Sequence, residues 1–367
     1  MTSTSFPTID DHKSEAAHPG RATTLWRRWK PWLSRGFWFF GLCLAGVLIW
    51  LTLRQYSLSD IGHAIAAVPA ASILLALGFA AASYGCLTLS DVISLRYVGH
   101  RLPYRAVALA SFVSLSIGHS VGLAGLSSGA IRYRFYRRRG VHLAELARLT
   151  LMCGMTVLLG LVALAIAPLA SRPELTNRLL GSAGLGYGLA AAGLALVLGY
   201  WLLAWRRTGP LKVWRWQVDV PSIGMAVGQT AVGAVNFAFV SACLYALVRT
   251  AGPISYLDLV AIFVIANVAT LVSHVPGGVG VIESIVILLL PGEAVVGPVL
   301  LFRFVYFLLP LVMGCALLAG SEWHARRRGD ADRGGSAAAS PARTAPRDRE
   351  SASRPRNAPG RALPETL

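Results

Sequence analysis

The residues with the most chemical promise lie in Val272-Ser273-His274-Val275-Pro276-Gly277-Gly278-Val279-Gly280-Val281-Ile282-Glu283. Long apolar residues run up to this stretch from about Val260 and leave it through Ile285 to Leu290. Proline removes an amide donor and glycine adds backbone freedom, so a helix is expected to break here. Unpaired backbone inside hydrocarbon is tolerated only where protein buries it or where it lines a wet cavity. A carboxylate just past such a break, Glu283, is costly there and marks a site. It is suited to meet a cationic headgroup or to carry a proton. The plainer alternative is an ion pair with Arg303 that locks two helices, with Arg303 itself early in a span and able to snorkel to the external interface.

A second stretch, Ser127-Ser128-Gly129-Ala130-Ile131-Arg132-Tyr133-Arg134-Phe135-Tyr136, joins small residues to two arginines. Arg132 and Arg134 are expected near the cytoplasmic headgroup level, where the planar guanidinium suits bidentate contact with a lipid phosphate. Their plainer role is to fix topology, which is the role expected of Arg137, Arg138 and Arg139. Asp91, near the end of an earlier apolar run, is expected to pair with a neighbouring arginine. His119 and His274 each precede a break. They titrate near neutrality when unperturbed, or serve as hydrogen-bonding residues between helices. Gly129, Pro276, Gly277, Gly278 and Gly280 are the expected structural breaks.

The elements that position these residues follow from composition. The 367 residues are 55% hydrophobic and 14% charged, with a mean hydropathy of +0.57. A soluble domain would carry roughly a quarter charged residues, and several apolar runs reach the roughly 20 residues that cross a bilayer. The chain reads as an all-α polytopic membrane protein. Its net charge of +17 flanks the apolar runs and fills the tails, as orientation requires, so nucleic acid is not an expected partner. The five cysteines form no CxxC pair and read as packing residues. No cleavable signal peptide is expected.

Full spans are expected at about 36–53, 70–94, 146–170, 182–205, 222–248 and 296–320. Two apolar runs do not fit that count. If about 107–126 crossed the membrane, the arginines from Arg132 to Arg139 would lie outside, against the orientation rule. That run is therefore expected to enter from the cytoplasm, break at Ser127-Ser128-Gly129 and return. By the same logic about 258–291, broken at Pro276-Gly277-Gly278, enters from outside and returns. Residues 1–35 form a basic cytoplasmic lead, about 36–322 a membrane domain, and 323–367 a disordered basic cytoplasmic tail. The two halves, about 36–170 and 182–322, each read as two spans, a broken hairpin and a final span, one inverted relative to the other. The breaks lie about 150 residues apart. Inverted repeats with discontinuous helices are a transporter plan, with the site between them.

Two segments carry a family resemblance. Ser127 to Tyr136 resembles the "GG-x-x-RYRLY" signature of the lysylphosphatidylglycerol synthase transmembrane family. His274 to Glu283 is similar to its "hVPGGlGvfE" signature. Arg303-Phe304-Val305-Tyr306 through Pro310 resembles its last "R-x-x-Y…P" segment, which adds Tyr306 to the candidate substrate-binding residues. The resemblance spans about residues 36–322, with Ser128 and Ile282 standing where many members have Gly and Phe. It implies a flippase-like domain, as in the multiple peptide resistance factors, whose membrane domain is held to move aminoacylated phosphatidylglycerol between leaflets. Their synthase domain is not expected here, because the tail of about 45 residues is short and polar.

The expected function is thus lipid translocation in a plasma membrane, a bacterial inner membrane by the resemblance, with both termini cytoplasmic. The substrate-binding candidates are Glu283, Arg303, Arg132, Arg134, His274, His119 and Tyr306. The alternative is a non-catalytic membrane partner that positions a lipid synthase or a polyprenyl-sugar glycosyltransferase. No phosphate loop, HExxH motif, nucleophile elbow or metal-ligand spacing occurs in the sequence, so neither enzyme activity, nor a cofactor, nor a metal is expected.

Overall fold

The computed structural model describes residues 66, 68–121, 124–207, 209, 211–213, 216–273, 275, 278–290, 293–321 and 323. The expected span at about 36–53, the basic lead and the tail, together with His274, Pro276 and Gly277, lie outside the described residues. By contacts the chain divides into Met1–Ala319 and Gly320–Leu367. Of the second unit only Gly320, Ser321 and Trp323 are described.

The order of elements is α1 (Ala70–Tyr97), α2 (Tyr104–Val121), α3 (Ala124–Arg137), α4 (Leu143–Ser171), α5 (Pro173–Leu180), α6 (Ala183–Arg206), strands β1 (Leu211–Val213) and β2 (Trp216–Val218), α7 (Ile223–Val248), α8 (Tyr256–Ser273), α9 (Val281–Leu289) and α10, which starts at Val296. After Arg303, α10 passes through a π-helical turn, Phe304–Leu308, and continues to Ser321. The protein is an all-α polytopic membrane protein. A two-strand antiparallel hairpin, Leu211 opposite Val218, is an addition to the helical expectation.

Six helices among the described residues are long and apolar enough to cross a membrane: α1, α4, α6, α7, α8 and the whole of Val296–Ser321. Five coincide with expected spans. The sixth, α8, was expected only as the first limb of a hairpin. Its 18 residues extend about 27 Å at 1.5 Å per residue, close to the roughly 30 Å of a hydrocarbon core. The chain still reverses after it. Gly278 sits against Thr270 of α8 and Ile282 of α9, and α9 packs against α8. The turn needs its glycines: Gly278 and Gly280 have φ of 58° and 82°, in the left-handed region that costs an L side chain. A Cβ on Gly278 would also lie 2.6 Å from the Thr270 methyl.

The first hairpin is real, but its break is displaced. α2 ends at Val121 and α3 starts at Ala124, so the two limbs part ahead of the expected position. Ser127, Ser128 and Gly129 lie inside α3. Small residues there serve packing: a Cβ on Gly129 would stand 3.8 Å from Thr150 of α4. Both flanks of this hairpin are at one end of the bundle. His100, before α2, bonds Glu145 at the start of α4 at 2.9 Å. Arg148 reaches Asp219, just before α7, at 3.6 Å, and Tyr97 donates to the Asp219 carbonyl. At the other end Arg172, after α4, pairs with Asp258 of α8 at 3.4 Å and donates to Ser255.

The core is the pair α1 and α7. They run antiparallel: Ser83 meets Asn236 at 2.8 Å, and Ile93 lies against Gly228. About 56% of the apolar window of α7 is buried, against 17% for α6. The leucines of α6 at 189, 194, 196, 198 and 202 are exposed, as a lipid-facing helix requires. Gly160 of α4 and Gly233 of α7 cross backbone to backbone, with no room for a Cβ on either. Small residues of this kind bring membrane helices close. Gly160→Ala is expected to lower stability by about 1–3 kcal/mol through overpacking, read as a lower midpoint of thermal denaturation in detergent. The helices Ala70, Tyr104 and Leu143 begin are matched by those beginning at Ile223, Tyr256 and Val296. Those starts are offset by 153, 152 and 153 residues.

Candidate functional site

Asp91 lies on the buried face of α1, and the carboxylate is enclosed on all the sides that the described residues supply. Arg132 of α3 grips it with both arms of the fork, Nε to Oδ2 at 2.9 Å and Nη2 to Oδ1 at 2.8 Å. The two side chains are 2% and 1% exposed, so this pair is desolvated. Tyr136, one helical turn beyond Arg132, donates to Oδ2 at 3.2 Å. Cys153 of α4 approaches Oδ1 at 3.4 Å. Arg132 also donates through Nη1 to Ser128, one turn earlier, at 3.1 Å. The spacing of Ser128, Arg132 and Tyr136 places all three on one face of α3. Arg132 therefore does not stand at headgroup level with an open fork. It clamps the hairpin to α1, which is the pairing anticipated for Asp91. Buried charges without such compensation are strongly unfavourable.

Beside the pair lies a cavity of about 50 Å³, walled by α1, α2, α3, α4 and α7. Ser90, Asp91, His119, Arg132, Thr156 and Asn236 supply its polar lining. The volume holds a few waters at about 10–15 Å³ each. His119 is half-buried there. Arg134 is half-buried on α3 and does not line the cavity, and Arg137 lies over the Tyr133 ring at 5.8 Å.

The second buried pair is built on the second hairpin. Gly280 caps α9, and its N–H donates to Glu283 Oε2 at 2.9 Å. The other oxygen of Glu283 faces Arg303 Nη1 at 3.3 Å, with both side chains 6% exposed. The Arg303 guanidinium stacks over Phe307 at 4.4 Å from the ring centroid, a desolvated cation–π contact. Arg303 does not snorkel to an interface; Phe307 and Glu283 hold it inside. The π turn begins at the next residue, Phe304, with the Leu309 N–H returning to the Phe304 carbonyl. Such turns are frequent at functional positions.

Tyr306, within that turn, is 4% exposed and stacks on Phe302 at 5.6 Å and 6°. Its hydroxyl meets Ser83 Oγ at 2.9 Å, and Ser83 donates to Asn236 at 2.8 Å. Asn236 and Ser83 were not among the sequence candidates. Their signal was present: a polar side chain in the middle of an apolar span is expensive and therefore informative. The structure thus brings Arg132 and His119 to the cavity and pairs Glu283 with Arg303. Tyr306 adjoins the latter pair.

Comparison with known proteins agrees with this architecture. A family model described as "Lysylphosphatidylglycerol synthase TM region" matches residues 38–314. The chain is 30% identical over 263 residues to an uncharacterized protein of Synechocystis sp., covering 69% of this chain and 80% of that one. It is 25% identical over 308 residues to the inner membrane protein YbhN of Escherichia coli, covering 78% and 91%. A phosphatidylglycerol lysyltransferase of Staphylococcus haemolyticus is 25% identical over 243 residues, 63% of this chain but 27% of that protein. Matched by that family model over residues 38–314, more than half of its length, the chain belongs to the lysylphosphatidylglycerol synthase transmembrane family.

Proposed function

We propose that the protein is a non-catalytic lipid translocator, which passes polar headgroups through the interior while acyl chains stay in the bilayer. The observation that carries this reading is the small cavity between the first hairpin and the α1/α7 core, largely apolar in its exposed lining but bordered by a buried ion pair, His119 and Asn236. Hydrocarbon offers no hydration to such groups, so polar side chains kept inside an apolar bundle are most useful to a polar cargo. The matching order of elements, at offsets of 152 or 153 residues, supports two inverted repeats with the route between them. The substrate this reading favours is aminoacylated phosphatidylglycerol or a related phospholipid, in which one headgroup carries both charges.

By the positive-inside rule we place the end that carries Arg148, near which Arg96, Arg101, Arg105, Arg137, Arg138, Arg139, Arg206 and Arg207 flank helix ends, on the cytoplasmic side of a bacterial inner membrane.

The test is leaflet exchange in proteoliposomes, comparing lysyl-phosphatidylglycerol, phosphatidylglycerol and a polyprenyl phosphate. Exchange above protein-free vesicles, fastest for the aminoacylated lipid, supports the reading. No exchange from folded protein, with a lipid synthase or glycosyltransferase co-purifying, would replace translocation by a docking role.

A further inference from the structure

The two buried charge pairs belong to different hairpins, and a chain of two hydrogen bonds lies between them. Asn236 lines the cavity that holds Asp91 and Arg132. Its Oδ1 is an acceptor only, so the Ser83 hydroxyl donates to it at 2.8 Å. The Ser83 oxygen is then left to accept from the Tyr306 hydroxyl at 2.9 Å. Direction is therefore fixed along the chain: Tyr306 to Ser83 to Asn236. Asn236 and Ser83 are 5% and 0% exposed, so both bonds are sheltered from bulk solvent. At the far end, Tyr306 stands three residues from Arg303, across the start of the π turn, and Arg303 holds Glu283 of the second hairpin. Ser83 and Asn236 also lie 153 residues apart, the same offset that relates the helix starts. They are thus equivalent positions of the two halves, meeting where the antiparallel α1 and α7 cross.

The geometry points to Ser83, Asn236 and Tyr306 as positioning residues that couple the cavity to the second hairpin. A π turn differs from an α turn by one residue of register, so it has two discrete arrangements and can be biased from either side. With the Tyr306 hydroxyl anchored to Ser83, the π register places Arg303 against Glu283. When a headgroup in the cavity draws Asn236 away, Ser83 and Tyr306 lose their anchor, and the second hairpin loosens. The purpose of this coupling rests on the translocator reading, but its test does not.

The test is amide hydrogen exchange of the Val281–Leu289 helix in nanodiscs, read by mass spectrometry, with leaflet exchange measured beside it. Asn236→Ala, on the helix that walls the cavity, is expected to speed exchange in Val281–Leu289 by about tenfold or more, within the usual range of site-to-site coupling. In a Tyr306→Phe background the same change is expected to add nothing, because the chain is already cut. Ser83→Val should match Asn236→Ala, while Ser83→Thr, equal in shape but keeping the hydroxyl, should match the native protein. That pair separates the hydrogen bond from packing. Native exchange rates in Asn236→Ala, multiplying effects in the double variant, or equal behaviour of Ser83→Thr and Ser83→Val would each overturn the coupling. Absence of lipid exchange by the native protein would remove the translocator reading and leave the hydrogen-exchange result to decide the coupling.

Discussion

Asp91→Ala is expected to destabilise the protein by about 3–5 kcal/mol, because it leaves the Arg132 guanidinium buried without its counter-charge. Arg132 is 2% exposed, and both arms of its fork are committed to Asp91. Tyr136 and Cys153 would also lose their acceptor. The first hairpin, α2 and α3, would be released from α1 and α4. The loss should appear as a lower denaturation midpoint in detergent and poorer recovery of folded protein. Asp91→Ala combined with Arg132→Met removes both charges, and most of the stability should return. If Asp91→Ala stays within about 1 kcal/mol of native, the range of an exposed pair, the clamp assigned here is wrong.

Glu283→Gln is expected to abolish lipid exchange while the protein remains folded. Glutamine keeps the shape and an oxygen able to accept from the Gly280 N–H, so the cap of α9 persists. The charge that faces Arg303 is lost. Arg303, 6% exposed, keeps its contact with Phe307 but loses its counter-charge, so a lower denaturation midpoint is expected although the fold is retained. A functional carboxylate and a structural lock make different forecasts for a second variant, Glu283→Gln with Arg303→Met. If the pair only locks two helices, removing both charges restores exchange along with stability. If Glu283 meets the moving headgroup, the double variant folds and exchange stays at least about tenfold below native, the loss expected when a charged contact worth more than about 1.4 kcal/mol is removed.

Much of this fold was legible in the sequence because hydrocarbon imposes such strong rules. Apolar length located five of the spans found here, and the arginines from Arg132 to Arg139 required the first hairpin. The position of its turn was not legible. Ser127-Ser128-Gly129 has the composition of a break, yet lipid and close packing favour continued helix, where small residues admit the Thr150 side chain. The second turn was easier to read, since Pro276 and positive-φ glycines leave fewer alternatives. At the site, pairing of Asp91 with an arginine was anticipated, and pairing of Glu283 with Arg303 was the plainer of two readings. What the sequence did not reveal was that Arg132 and Arg303 are fully enclosed, because burial of an arginine depends on partners distant along the chain. Asn236 and Ser83 were overlooked for a related reason: an uncharged polar residue in a span gains meaning only from its neighbour on another helix.

The most direct test of an interior route is photo-crosslinking with a lipid whose headgroup carries the photoreactive group, in proteoliposomes of the native protein, with adducts mapped by mass spectrometry. The account predicts adducts on the cavity walls, around Cys86–Asp91 of α1, Leu115–His119 of α2 and Val232–Phe237 of α7, removed by excess unlabelled lipid. Adducts confined to helix ends and to the lipid-facing α6, with those walls unlabelled, would contradict it.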